Sequence, residues 1–318
     1  MCKGVEDLYL GFYPNFKIFI SCIIMNILIT GTSSGIGSEL YNKLSLNNNV
    51  ISANRTIIES SGKKNDIHID MSSQKSISEF VTKVSKKNIK FDMIILNAGI
   101  KSTRKRVEWN GKQTNLCRVV NLLANDYLLE QLSNHNLIYK KAKIVFMTSI
   151  THWFGSDNPN PEIGVDDPQD ANWANQQYPN TKFGLFILAK MIKKINPSFD
   201  VILINPGMVS TKIFGDKNEN GFLSSSIRYV REWLSFTPEE STNYIVESIM
   251  TENTTTKEFR YFTPYQSLLV FGFAESTQML QDVFGRRFLT RLNTDTDNFS
   301  NRVFDDLVER NYITYLQK

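Results

Sequence analysis

The sequence is poor in the residues that build metal centres and disulfide frameworks. Three cysteines and three histidines occur in 318 residues. The cysteines (Cys2, Cys22 and Cys117) are far apart and odd in number, which is typical of a protein kept in a reducing compartment. No histidine stands at a metal-ligand spacing from a cysteine or an aspartate. We therefore expect a cytoplasmic protein without a metal site.

Strong charge bias and a membrane-spanning run are also missing. The net charge of +4 comes from lysines and arginines spread along the chain without a dense basic block, which argues against a nucleic-acid partner. The apolar run from Ile18 to Ile29 is too short to span a bilayer, and no small-residue cleavage site accompanies it. Because a natural start is recognisable at Met25, we expect residues 1–24 to be an extension outside the core. A peripheral membrane anchor is the alternative.

The chain does contain a regular alternation of apolar, β-rich runs with longer amphipathic stretches. Since parallel strands need such crossover connections, the alternation predicts a doubly wound parallel sheet in three α/β/α layers. No repeat or linker divides residues 25–264, so we expect one domain there and a C-terminal helical extension over 265–318. The polar stretch from Asp157 to Gln177 predicts a long binding loop. The predicted strands are 26–30, 49–53, 66–69, 92–96, 143–148 and 200–204.

A glycine-rich turn joins the first predicted strand to the first helix. Residues 30–37 read Thr-Gly-Thr-Ser-Ser-Gly-Ile-Gly, which places glycines at 31, 35 and 37. A turn without Cβ atoms lets backbone N–H groups approach a pyrophosphate, and the helix N-terminus directs partial positive charge to the same place. The spacing is a variant of the dinucleotide fingerprint of the Rossmann fold. It favours a nucleotide site, with a plain glycine-rich turn as the alternative.

Polar motifs follow three later strands, at the edge where open α/β sheets bind ligands. Asn97-Ala98-Gly99 ends the fourth strand, Thr148-Ser149 ends the fifth, and Asn205-Pro206-Gly207 ends the sixth. Tyr178 begins a predicted helix and shares one face of it with Lys182, four residues on. A phenol beside an ammonium suits proton transfer to an alkoxide, because the cation favours phenolate and lowers the pKa of the phenol.

The same Tyr-x-x-x-Lys spacing occurs at two other places, so position has to decide between them. Tyr13 and Lys17 precede the first strand. Tyr139 and Lys143 lead into the amino end of the fifth strand, opposite the predicted site. The pair at 178 and 182 follows a strand-end serine and precedes a Pro-Gly strand end, which favours it as the chemical site.

Taken together and in this order, the motifs resemble the short-chain dehydrogenase/reductase family over about residues 25–264. The pattern is most similar to the retinol-dehydrogenase-like members and related carbonyl reductases. The resemblance implies an oxidoreductase that interconverts an alcohol and a ketone or aldehyde by hydride transfer. It implies a small-molecule substrate and leaves open a homo-oligomer and a weak contact with a membrane surface.

The resemblance also implies a role for each catalytic residue. Tyr178 would be the general acid/base, Lys182 would lower its pKa and hold the nicotinamide ribose, and Ser149 would hydrogen-bond the reacting oxygen. An asparagine in the helix after Asn-Ala-Gly would support a water relay to the lysine; Asn121 fits best, with Asn115 and Asn125 as rivals. The implied cofactor-binding residues are Gly31, Ser33, Ser34, Gly35, Ile36, Gly37, Arg55, Asp70, Met71, Asn97, Ala98, Gly99, Tyr178, Lys182, Pro206, Gly207, Val209 and Thr211.

Residues after the second strand predict which nicotinamide cofactor binds. A carboxylate about 20 residues beyond the glycines favours NAD(H), whereas an arginine there favours the 2′-phosphate of NADP(H). The chain reads Ala53-Asn54-Arg55-Thr56, with no carboxylate and one guanidinium suited to bidentate phosphate contact. We therefore expect NADP(H) in preference to NAD(H). For Asp70, the alternative to a contact with the adenine is a cap for the helix from Ser72 onward.

Two further interpretations complete the sequence-based picture. His152 stands three residues after Ser149, but no third orienting acid sits at a nucleophile-elbow spacing, so a hydrolase is disfavoured. We expect His152 on the solvent side or in the substrate loop.

The alternatives to an active reductase are a catalytically idle NADP-binding sensor or scaffold, and a reductase associated with a membrane surface through 265–297. The intact Ser149, Tyr178 and Lys182 set argues against the idle protein.

Overall fold

The computed structural model describes residues 24–57, 62–63, 65–101, 103–149, 151–152, 171–207, 209, 236–250 and 259–264. The predicted C-terminal extension, the N-terminal residues 1–23 and the predicted cofactor residue Thr211 lie outside these ranges. The division of the chain at 24/25 and 264/265 therefore stays a prediction.

A parallel sheet of seven strands forms the centre of the fold, in the order β3-β2-β1-β4-β7-β8-β9. The strand order reverses at β1, which pairs with β2 on one side and with β4 on the other. Doubly wound sheets bind ligands at this switch point, beyond the carboxyl ends of the strands. The strands are β1 (Asn26–Thr30), β2 (Asn49–Asn54), β3 (Asp66–His68), β4 (Phe91–Leu96), β5 (Arg106–Trp109), β6 (Lys112–Asn115), β7 (Ile138–Met147), β8 (Asp200–Ile204) and β9 (Arg260–Phe262).

Helices cover both faces of the sheet and complete the predicted three layers. The helices are α1 (Gly35–Leu44), α2 (Gln74–Lys86), α3 (Leu116–Arg118), α4 (Ala124–Asn134), α5 (Ala171–Ile195) and α6 (Pro238–Met250), with a π-helical turn, Val119–Leu123, between α3 and α4. Apolar residues of α2, α4 and α5 pack on one face, and those of α1 and α6 pack on the other. Neighbouring residues of β1 serve opposite layers: Leu28 belongs to the first core, Ile27 and Ile29 to the second. Both faces are buried, which explains why the strands are continuous apolar runs.

Two strand features are absent from the sequence prediction. The β5–β6 hairpin turns at Asn110 and Gly111, both with positive φ (49° and 74°). Asn-Gly is the strongest short-range hairpin signal, so the hairpin was recognisable from the sequence. Strand β9 spans three residues and pairs with β8, where Arg260 forms an ion pair with Asp200. A run that short carries too little periodicity to be identified.

The prediction was wrong about where α5 begins. Tyr178 was expected to start this helix and residues up to 177 to form a loop, whereas the helix begins at Ala171 and carries Pro179 inside it. A proline favours the first turn of a helix, and the residues before it lack an apolar stripe, so the sequence pointed to a later start. Between β2 and β3, the described residues also include no crossover helix.

Candidate active site

The glycine-rich turn after β1 is shaped by close packing within the turn and against the ends of β2 and β4. Gly31 has a φ of +73°, and its N–H donates to the Ala53 carbonyl at 2.8 Å. A Cβ on Gly31 would lie 2.9 Å from the Ala98 Cα, and one on Gly37 would lie 2.0 Å from the Gly31 carbonyl oxygen. Both positions therefore require glycine for the turn to fold, independently of any ligand.

The residues that end β4 hold this turn in place. The Thr30 hydroxyl accepts from the N–H groups of Asn97 and Ala98, each at 3.0 Å. The Asn97 side chain donates to the carbonyls of Thr30 at 3.0 Å and Gly31 at 2.9 Å. The Asn97 side chain therefore helps to fix the conformation of the glycine-rich turn.

The start of α1 has the features that an anionic ligand needs. The N-cap residue Ser34 makes no side-chain capping bond, and both Ser33 and Ser34 are exposed. The first N–H groups of a helix have no intrahelical partner and favour negative charge. With the glycine cradle beside them, the residues present fit a dinucleotide pyrophosphate.

A buried polar network connects the ends of β1, β2 and β3. The Asn54 Oδ1 accepts from the Thr32 N–H at 2.7 Å, while Asn54 Nδ2 donates to the Thr32 hydroxyl at 2.8 Å. Asn54 Nδ2 also lies 2.8 Å from Asp66 Oδ1, and Ser52 donates to the same oxygen at 2.8 Å. An amide is needed at position 54, because it donates and accepts at once.

The predicted cofactor residues around this network have different surroundings. Arg55 is exposed directly after β2, and its contact with a phosphate stays a prediction. Asp70 Oδ1 accepts from the Ser72 N–H at 2.8 Å and from its hydroxyl at 2.7 Å, whereas Ser73 is the N-cap of α2, so Asp70 holds the turn that precedes the helix. Met71 is buried in the larger core.

The three central catalytic candidates come together where β7 ends and α5 passes over it. The Ser149 side chain hydrogen-bonds the Tyr178 hydroxyl. The Lys182 Nζ lies 5.4 Å from the centre of the Tyr178 ring and donates to the Met147 carbonyl at 2.7 Å. The sequence spacing therefore identified a real cluster, whose lysine is held by the strand backbone.

Burial sets the proton affinities in this cluster. It raises the pKa of Tyr178 to about 12, although the hydrogen bond from Ser149 acts in the opposite direction. It lowers the pKa of Lys182 to about 8, with a smaller opposing effect from Cys117. The expected lowering of the tyrosine pKa was therefore wrong for the protein alone, because removal from water outweighs the hydrogen bond with Ser149. Tyr178 holds its proton at neutral pH.

Asn121 lies in the π-helical turn and fastens it to the loop after β4. Its Oδ1 accepts from the Ile100 N–H at 2.8 Å, and its Nδ2 donates to the Ile100 carbonyl at 2.9 Å. The rivals have other partners: Asn115 caps α3, and Asn125 Nδ2 donates to the Asn121 carbonyl at 2.8 Å. Both ends of the Asn121 amide are bonded to Ile100, so this side chain fixes the loop after β4, and its part in a water relay stays a prediction.

His152 is buried, so the expectation of a solvent-side histidine was wrong, while its alternative place in the substrate loop stays a prediction. The side chain is 1% exposed, and its Nδ1 lies 2.5 Å from the Ser149 carbonyl oxygen. Its ring stacks on Phe186 at 4.4 Å and meets Tyr261 edge-on at 5.7 Å between ring centres. Burial lowers the pKa of His152 to about 4, so the ring is neutral at physiological pH. A carbonyl can only accept, so Nδ1 carries the proton.

The segment after β8 is held by contacts with Phe236 and with Ser241 of α6. Gly207 has a φ of +82°, and a Cβ there would lie 2.7 Å from the Phe236 ring. The Pro206 carbonyl accepts from the Ser241 hydroxyl at 2.7 Å, and Val209 pairs with Phe236. These contacts place Pro206, Gly207 and Val209 at the same edge of the sheet as the other motifs.

Sequence reasoning missed two groups at this edge. Lys63 donates to the carbonyl and hydroxyl of Thr32, and the Cys117 thiol accepts from Asn121 Nδ2 at 3.3 Å. Neither belongs to a recognisable motif, and each contact joins parts of the chain that only the fold brings together. No group of His, Cys, Asp and Glu that could hold a metal ion occurs among the described residues. None of the helices described is long and apolar enough to cross a membrane.

The chain is similar to known proteins in sequence and in fold. A family model for short chain dehydrogenases matches residues 25–158. A polyprenol dehydrogenase of Danio rerio is 25% identical over 209 residues, which cover 59% of this chain and 62% of that protein. The chain therefore matches less than two thirds of the length of this curated relative.

Two solved structures show the same fold at low identity. The 3-alpha-hydroxysteroid dehydrogenase of Pseudomonas sp. B-0831, complexed with NADH, is 18% identical with a TM-score of 0.55 and covers 79% of this chain and 100% of its own. An alcohol dehydrogenase of the archaeon Thermococcus sibiricus, complexed with 5-hydroxy-NADP, is 19% identical with a TM-score of 0.52. The match covers 76% of this chain and 96% of that one. The matched family model and the ordered motifs make residues 25–158 similar to the short-chain dehydrogenases, and the solved structures show that the chain shares their fold.

Proposed function

We propose that the protein is an NADP(H)-dependent oxidoreductase that interconverts an alcohol with a ketone or aldehyde. The observation that carries the proposal is the cluster of Ser149, Tyr178 and Lys182 at the same sheet edge as the glycine-rich turn. A proton-transfer group and a nucleotide cradle at one edge are what hydride transfer to a carbonyl requires.

Each side chain of the cluster has a distinct part in the reaction. Tyr178 keeps its proton at neutral pH and donates it to the carbonyl oxygen during reduction; in alcohol oxidation the same oxygen takes the proton back. Ser149 hydrogen-bonds the Tyr178 hydroxyl and is placed to bind the reacting oxygen as well. The Lys182 ammonium stabilises the negative charge that remains on the phenol after proton donation.

The cofactor would be held by the turn between β1 and α1 and by the strand ends beside it. When bound, the nicotinamide ring supplies or accepts the hydride. In the direction of reduction, the carbonyl compound, NADPH and one proton give the alcohol and NADP⁺. Preference for NADP(H) is supported by the exposed Arg55 guanidinium and by the amide of Asn54, which stands where NAD-specific sites place a carboxylate. The fold itself accommodates either cofactor, since one related structure holds NADH and the other 5-hydroxy-NADP.

The substrate class is best approached through the curated relative, which is named as a polyprenol dehydrogenase. We infer that long-chain isoprenoid alcohols and their aldehydes belong in the first screen, beside retinal, steroid ketones and short aldehydes. The test follows the change in NADPH absorbance with each carbonyl and NADP⁺ with each alcohol. Turnover with one member confirms an enzyme. Tight NADPH binding without turnover across the panel would favour the idle sensor instead.

A further inference from the structure

Lys63 is a cation beside the nucleotide turn that no sequence motif marks. It lies in the connection between β2 and β3, and its Nζ donates to both the carbonyl and the hydroxyl of Thr32. The Nζ also lies 5.1 Å from the centre of the Tyr41 ring on α1. The side chain is half-buried, and burial lowers the pKa of Lys63. A cation held in this way is anchored, unlike a lysine that extends freely into solvent.

Two charged residues, Asp66 and Arg55, belong to or adjoin the buried polar network that Lys63 contacts through Thr32. Asp66 acts on Lys63 in the opposite direction to burial, yet its Oδ1 already accepts from Ser52 and Asn54. Arg55 is exposed immediately after Asn54. Asn54 bonds the N–H and the hydroxyl of Thr32, whose carbonyl and hydroxyl accept from Lys63. Arg55 and Lys63 are therefore both connected to one hydrogen-bonded unit, Arg55 as the residue that follows Asn54 and Lys63 through its bonds to Thr32.

We propose that Lys63 is a second specificity-determining cation, which binds the 2′-phosphate of NADP(H) together with Arg55. This inference rests on the proposed NADP(H) function and extends it to a residue outside the strand-end motif. An ammonium has three donors, so the bonds to Thr32 leave one for a phosphate oxygen. Ser33, which follows Thr32 directly, is exposed.

The rival interpretation is that Lys63 only fastens the turn by its bonds to Thr32. The two interpretations differ in whether the effect depends on the 2′-phosphate. Lys63→Gln keeps a donor for the Thr32 carbonyl but removes the charge, and Lys63→Met removes both. Lys86→Met, on the exposed last turn of α2, is the matched control. Arg55→Met tests the other cation.

The experiment is isothermal titration of the full chain and each variant with NADP⁺ and with NAD⁺, which needs no turnover. We expect Lys63→Gln and Lys63→Met to weaken NADP⁺ binding by about 10- to 100-fold, the size of one hydrogen bond to a charged group, and to change NAD⁺ binding by less than about twofold. Lys86→Met should change neither. Thermal unfolding monitored by circular dichroism confirms that each variant is folded; if Lys63→Met is not, Lys63→Gln decides.

The outcomes separate this inference from the function on which it rests. Equal affinity of the unmodified protein for NADP⁺ and NAD⁺ would overturn the proposed cofactor preference itself. A protein that prefers NADP⁺, and loses the preference in Arg55→Met but not in the Lys63 variants, would overturn the role of Lys63 alone. Equal weakening of both cofactors in Lys63→Met and Lys63→Gln would show that Lys63 holds the turn rather than the phosphate.

Discussion

The two ends of the binding edge are built on different principles. At the nucleotide end, Thr30, Thr32, Asn54 and Asn97 pair their polar atoms with one another and with the backbone of neighbouring strands. At the catalytic end, burial holds the pKa values of Tyr178 and Lys182 away from their usual ranges. Function at the nucleotide end therefore depends on the shape of the turn and strand ends, whereas function at the catalytic end depends on the proton affinities of Tyr178 and Lys182. Substitutions at the nucleotide end should therefore act on folding and binding, and those at the catalytic end on turnover.

The largest expected effect is on turnover, in Tyr178→Phe. The substitution keeps the ring beside Lys182 and deletes only the transferable proton, so kcat should fall by about 10²- to 10⁴-fold. NADPH affinity and the unfolding midpoint should stay close to normal. Tyr139→Phe, at an exposed position on β7, is the control and should be neutral. Retention of more than about a tenth of the activity in Tyr178→Phe would move the acid/base role elsewhere.

The second effect is on stability, in Asn54→Asp at the nucleotide end. Asn54 is 3% exposed and donates to Asp66 Oδ1, so an aspartate there would place two carboxylates together and lose the donor. We expect the free energy of unfolding to fall by about 2–4 kcal/mol, measured by urea denaturation. Asn42→Asp, at an exposed position on α1, should change it by less than about 0.5 kcal/mol. A stable variant that merely switched to NAD(H) would show that the network tolerates charge.

The third effect is a pH dependence that belongs to the catalytic end. Lys182 has a pKa of about 8, and its ammonium is present below that value and lost above it. Tyr178, with a pKa of about 12, keeps its proton throughout. For carbonyl reduction, kcat/KM should therefore be level near pH 7 and about tenfold lower at pH 9, since this parameter reports the free enzyme. A decline centred near pH 6.5 would instead implicate a histidine.

The smallest effect tests whether His152 positions the catalytic serine. His152→Phe keeps a ring against Phe186 but loses the donor to the Ser149 carbonyl, so kcat should fall about fivefold, the value of one hydrogen bond. His152→Asn keeps a donor and loses ring volume, so it should restore kcat while lowering the unfolding midpoint. Normal kcat in His152→Phe, with a loss of kcat in His152→Asn, would show that the ring acts only through packing.

The sequence predicted the parts of this edge that depend on local pattern. The strands β1, β2, β4 and β8 are apolar runs buried on both faces, and the motifs after them lie together because parallel strands end at one edge. The pair Tyr178 and Lys182 was found because helical spacing is short-range. Lys63 and His152 were missed or misplaced because their partners are set by packing between elements. Burial also reversed the expected pKa shift of Tyr178, and burial cannot be read from spacing.

The π-helical turn has a consequence for changes in chain length. Within the turn Asn121 must face Ile100, and beyond it Leu128, Leu129 and Leu132 must face the core. One residue turns an α-helix by about 100°, so the wider turn reconciles two requirements that a regular helix would set out of phase. Deleting one residue from 119–123 would rotate either the amide or the leucines out of place. This short stretch should therefore not accept the loss of a residue, while loops on the surface can shorten and lengthen.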